Sequence, residues 1–119
     1  MPIEIFSPET YAYQLDNGWE LNASAQIKGL KPKINNEEFI YSVTYSADII
    51  SPSNDTLKSI DSGEVEKTAE ENLSDIQLEI QAELDSTFAV GQYQIIINIK
   101  DKFSDKTAKL QSTFELTAD

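Results

Sequence analysis

Oxygen is the main chemistry this chain offers. Carboxylates and carboxamides gather in short polar stretches: Asp16-Asn17, Asn35-Asn36-Glu37-Glu38, Asn54-Asp55, Asp61 with Glu64, Asp85, and Asp101 with Asp105. Calcium is the ion such stretches would hold, because it takes roughly six to eight oxygens from neighbouring loops. In a two-sheet protein the turns carrying Asp16, Asp85 and Asn54 would approach one region, and Asp101 with Asp105 another. Asp16, Asp85, Asp101 and Asp105 are therefore the candidate metal ligands. None of these stretches has the spacing of a known calcium loop, and Asp and Asn also serve as ordinary turn residues by bonding to their own backbone.

Aromatic rings are the second resource. Planar side chains on an open sheet face can stack on sugar rings, and Tyr11, Tyr13 and Trp19 lie close together in the chain. Trp19 has the same parity as Leu21, Ala23, Ala25 and Ile27, which assigns it to the core as a structural residue. Tyr41 and Tyr45, in line with Phe39 and Val43, are assigned to the core as well.

Other chemistries are excluded by composition. The chain of 119 residues has no Cys and no His, and all nine of its basic residues are Lys. Without Cys there is no disulfide, thiolate nucleophile or thioester, and without His the usual base near neutral pH is missing. A Ser-His-Asp site is impossible. Paired carboxylates or a Ser-Lys pair remain as routes to catalysis, but no motif points to either. The expectation is a protein that is not an enzyme and needs no cofactor, calcium excepted.

The net charge is −12, and residues 61 to 85 hold nine acids and one Lys, hence eight of the twelve excess negative charges. Such a segment repels phosphate backbones and anionic lipid surfaces, so nucleic acid is not an expected partner. The acidity also serves solubility, with a specific cationic partner as the alternative. No apolar run is long enough to span a membrane, so no membrane insertion is expected. The start, Met1-Pro2-Ile3-Glu4, lacks the features of a signal peptide. A cytoplasmic location follows if Met1 is the native start, and an extracellular or periplasmic one if the chain is an excised module. The triplets at Asn22, Asn54 and Asn72 match the glycosylation pattern and are read as coincidence.

These side chains must be positioned by strands. In Gly91–Asp101, Tyr93, Ile95, Ile97 and Ile99 alternate with Gln94, Ile96, Asn98 and Lys100, the period of a sheet with one dry face. The same alternation runs from Trp19 to Lys28, from Phe39 to Asp48 and from Ala108 to Leu116, the last forming a hairpin with the Gly91 strand. Ile3–Phe6 and Tyr11–Leu15 read as one edge strand broken at Ser7-Pro8. Between Asp61 and Leu84 the apolar spacing also fits a helix. The perfect alternation of Ile76, Leu78, Ile80, Ala82 and Leu84 favours a strand over 76–84, with Ser62–Ser74 a polar loop or short turn. Ile96 and Ile40 point away from the dry faces and are candidate partner contacts.

From Asp75 to Leu116 the chain resembles the C-terminal half of immunoglobulin-like sandwiches of the kind found in bacterial surface proteins and macroglobulin-like modules. The resembling residues are Leu78 and Leu84, Phe88 in the crossing loop, Gly91-x-Tyr93-x-Ile95-x-Ile97-x-Ile99-x-Asp101, and Phe114-Glu115-Leu116. The resemblance implies an all-β, antiparallel, immunoglobulin-like β-sandwich of about seven strands. It also implies that Gly91 and Tyr93 form a corner between sheets, the tyrosine hydroxyl bonding to backbone a few residues upstream. Residues 1–119 are expected to form a single domain with a non-enzymatic binding or spacer role toward a protein partner. The alternative is a calcium-dependent or carbohydrate-binding module of an exported protein.

Overall fold

Wherever apolar residues alternate, the backbone is extended. The computed structural model describes residues 2–118, with Met1 and Asp119 outside that range. The strands are β1 (Glu4–Leu15), β2 (Gly18–Lys28), β3 (Lys33–Asn35), β4 (Glu38–Ile50), β5 (Thr56–Ala69), β6 (Asp75–Asp85), β7 (Gly91–Asp101) and β8 (Thr107–Leu116). Among the described residues, every strand pairing is antiparallel.

Three strands form one sheet in the order β1-β2-β6, and five form the other. In the larger sheet β4 carries β5 along one edge. Its opposite edge pairs with β7 over Val43–Ile50 and with the short β3 over Glu38–Ile40, and β8 lies beyond β7. The wide sheet is thus β5-β4-β7-β8, with β3 prolonging the line of β7. The inner faces of both sheets meet in one core: Trp19, Leu21, Ile27, Leu78, Ile80 and Leu84 from the three-stranded sheet pack against Val43, Ile49, Tyr93, Ile95, Ile97, Ile99 and Phe114 from the other. Burial of these apolar side chains is the main favourable term in folding. The molecule is elongated, 52 × 25 × 20 Å. One end carries the turns at 16–17, 51–55 and 86–90, and the other the loops at 29–32, 70–74 and 102–106.

Two sequence expectations are corrected. Ser62–Ser74 is not a loop throughout: β5 runs from Thr56 to Ala69, and only 70–74 leaves the sheet. As an edge strand, β5 keeps most of its side chains exposed and so has no apolar alternation to read. Pairing with β4 makes it a strand, and a register shift between Ala47 and Ile49, with Ser59 at φ 54°, bends it on the way. The helix alternative for this segment fails for the same reason. Likewise β1 is the edge strand expected, but its interruption at Ser7-Pro8 is a shift of register and not a break. A bulge between Phe6 and Glu9, with Ser7 at φ 51°, absorbs the proline and lets the strand continue.

Candidate binding face

The four candidate metal ligands divide between the two ends. Asp16 and Asp85 line one cavity of about 810 Å³ with Trp19, Leu57 and Phe88. Asp85 Oδ1 accepts the Thr87 backbone N–H at 3.0 Å and also the Thr87 hydroxyl, and these bonds hold its carboxyl below the usual range. It is the cap of a local turn. Asp101 is fully buried. Its Oδ2 accepts Lys31 N–H and Ser104 Oγ–H, each at 2.8 Å, and its Oδ1 accepts Phe103 N–H at 3.0 Å. Those bonds tie loop 29–32 to loop 102–106 and occupy both oxygens. Asp105 is exposed, 3.7 Å from Lys100 Nζ. Among the described residues, no three acidic side chains gather where they could hold a metal ion.

Trp19 is buried and donates its indole N–H to the Thr117 carbonyl at 2.9 Å. Tyr93 is buried, stacks on Phe114 with ring centroids 5.4 Å apart, and donates its hydroxyl to the Ala89 carbonyl at 2.8 Å. Burial pushes its phenol above the usual value. Gly91 begins that strand at φ 137°, a conformation open to glycine, and a Cβ added there would meet the Pro52 ring. Ile96 and Ile40 are half-buried on the same outer face. Ile96 sits opposite Asp48, which places it roughly 27 Å along β4 from Ile40. The two do not form one patch.

The outer face of the three-stranded sheet has the more organised surface. Cross-strand rows follow from the register: Glu9–Ser24–Glu79, Tyr11–Asn22–Gln81 and Tyr13–Glu20–Glu83. Tyr11 is 54% exposed and Tyr13 55%. As residues i and i+2 of one strand, their rings rise about 7 Å apart from a common face. The Gln81 amide donates to Glu20 within this surface. A groove of about 550 Å³ crosses the sheet from Glu9 and Tyr11, past Asn22 and Ser24, to Glu79, Gln81 and Asp61. At its far side Asp61 Oδ2 accepts the Gln81 backbone N–H at 3.2 Å, satisfying a donor on the open edge of β6. The Tyr45 hydroxyl reaches the same oxygen at 3.5 Å, so Tyr45 is a half-buried seam residue rather than a fully enclosed core ring.

Tyr11 and Tyr13 stand out in the sequence as ring candidates for binding, whereas Glu9, Asn22, Glu79 and Gln81 join them only through β-sheet register. Trp19, grouped with the tyrosines by proximity, faces the opposite way. The parity of Tyr11 against Trp19 was a usable signal for that split.

Fold and surface together define an all-β, antiparallel, two-sheet protein with an open polar and aromatic sheet face. No protein family matches the chain, and no curated protein matches it. Among solved structures it is similar to one described as the X-ray structure of Northeast Structural Genomics Consortium target SoR45, at 15% identity and a TM-score of 0.47, over 96% of this chain and 83% of that one.

Proposed function

We propose that this chain is a non-enzymatic, immunoglobulin-like module that binds a protein partner through the outer face of β1, β2 and β6. The observation that carries the reading is the pair Tyr11 and Tyr13, two rings left more than half exposed side by side on a sheet face. Exposed tyrosines of this kind are characteristic of recognition surfaces, since they supply large contact area at low conformational-entropy cost. The strand orders β1-β2-β6 and β5-β4-β7-β8, with the Tyr93 hydroxyl bonded to Ala89, support the immunoglobulin-like part. The buried Asp101 supports the non-enzymatic part: its oxygens are consumed by loop contacts and present nothing to a substrate.

A photoreactive phenylalanine analogue placed at Tyr13 in the native host tests the proposal. A discrete protein adduct is expected from that position and not from Thr113 on the opposite sheet. Equal adducts from both positions, or none from Tyr13, would overturn the reading.

A further inference from the structure

The chain contains its own example of how this face holds a cation. At one end of β1, Lys28 Nζ lies 3.1 Å from Glu4 Oε2 and 5.3 Å from the centre of the Phe6 ring. A carboxylate and an aromatic ring two residues apart on β1 thus grip an ammonium supplied from β2, combining an ion pair with a cation–π contact. Further along the same strand the pattern recurs. Glu9 and Tyr11 are again a carboxylate and a ring two residues apart on the same face, with Tyr13 continuing the line. Here the neighbouring positions on β2 are Ser24 and Asn22, which bring no positive charge.

The surrounding charge has the same sense. Among the described residues, β1 contributes Glu4 and Glu9 to this face, β2 contributes Glu20, and β6 contributes Asp75, Glu79, Glu83 and Asp85, against Lys28 as the basic side chain. The groove beside Tyr11 has Glu9 on one bank and Glu79 with Asp61 on the other. On the outer face of the wide sheet, Lys33, Lys100 and Lys109 offset much of the acidity. The negative potential is therefore concentrated where the exposed rings stand, and concentrated potential of one sign selects partners of the other.

We infer that the partner presents a Lys- or Arg-rich segment to this face, with its cations seated between Tyr11, Tyr13 and the carboxylates of Glu9, Glu79 and Glu83. This rests on the docking face proposed above and names the chemistry of its occupant.

The test uses labelled decalysine and decaarginine, titrated by fluorescence anisotropy at low salt, against the folded chain and four double variants. Tyr11→Ala/Tyr13→Ala, which leaves the charge unchanged, is expected to weaken binding by about tenfold, and Tyr11→Phe/Tyr13→Phe to keep it within about twofold. Glu79→Gln/Glu83→Gln is expected to weaken it about as much as the alanine pair. Glu64→Gln/Glu66→Gln on the other sheet carries the same charge change and is expected to cost less than about twofold. Thermal melts of each variant report that the fold is kept.

Equal losses from both carboxylate pairs with none from the tyrosines would mean a diffuse polyanion and overturn the inference. Two other outcomes would also overturn it. One is binding of neutral oligosaccharides at the tyrosines without cation binding, and the other is self-association of the chain that the alanine pair abolishes. If oligocations fail to bind while the Tyr13 adduct still forms, the docking face stands and its cationic occupant is rejected.

Discussion

The carboxylate of Asp101 accepts the backbone N–H of Lys31 at 2.8 Å, joining two residues 70 positions apart in sequence. Burying a carboxylate is costly unless donors replace water, and here two backbone N–H groups and a serine hydroxyl do so. One side chain thereby sets the relation of two loops at the same end of the molecule. Asp101→Ala would leave three donors without their acceptor and is expected to destabilise by about 3 kcal/mol or more. Asp101→Asn, which keeps one acceptor oxygen, is expected to lose roughly half of that, and urea melts of the two variants check the order.

Tyr93 provides a second constraint, and a pH dependence. Removing its hydroxyl in Tyr93→Phe keeps the stacked ring and loses the bond to Ala89, an expected cost of about 1 kcal/mol. Burial raises its folded pKa above the ordinary 10.0, so the folded state holds the proton more tightly than the unfolded one. That contribution is fully present below the unfolded value and is lost as the pH rises through the folded one. Tyr93→Phe is therefore expected to show a shallower fall of stability above pH 10, read from melts across the alkaline range.

Gly91 and Gly18 are expected to respond unequally to alanine. A Cβ at Gly91 would meet the Pro52 ring at 3.0 Å, and at φ 137° the cost is about 1–3 kcal/mol. At Gly18 the added atom would fall 2.0 Å from the Leu84 carbonyl oxygen, a backbone clash that requires the β2–β6 pairing to open. Gly18→Ala should be the more damaging, and comparison of the two midpoints decides it.

Calcium is expected to leave the melting temperature unchanged. A ligand that binds the native state must stabilise it, and Asp85 and Asp101 are already committed to Thr87 and to the loop latch. A rise at millimolar calcium that chelator reverses would contradict this.

Trp19 is expected to fluoresce as an enclosed indole, blue-shifted and shielded from acrylamide, because it is buried and bonded to Thr117. A red, freely quenched emission would place it at the surface and return it to the aromatic face.

Period-two alternation made β2, β4, β6, β7 and β8 legible from sequence alone, because a strand with one dry face must place an apolar side chain at every second position. It also assigned Trp19 to the core, since parity is a local property. β5 was beyond its reach: an edge strand with little buried surface has no pattern to impose, and only pairing with β4 defines it. β3 was hidden by its three-residue length. The role of Asp101 and the company kept by Tyr11 depended on contacts across the fold. A side chain's parity can be counted along a chain, but which strand lies beside it, and in what register, is decided by the packing of distant segments. The sequence by itself determined which face of each alternating strand would carry its apolar side chains inward. The tertiary structure decided that Glu9, Tyr11, Asn22, Glu79 and Gln81 share one surface, and that Asp101 looks inward to a backbone N–H instead of outward to an ion.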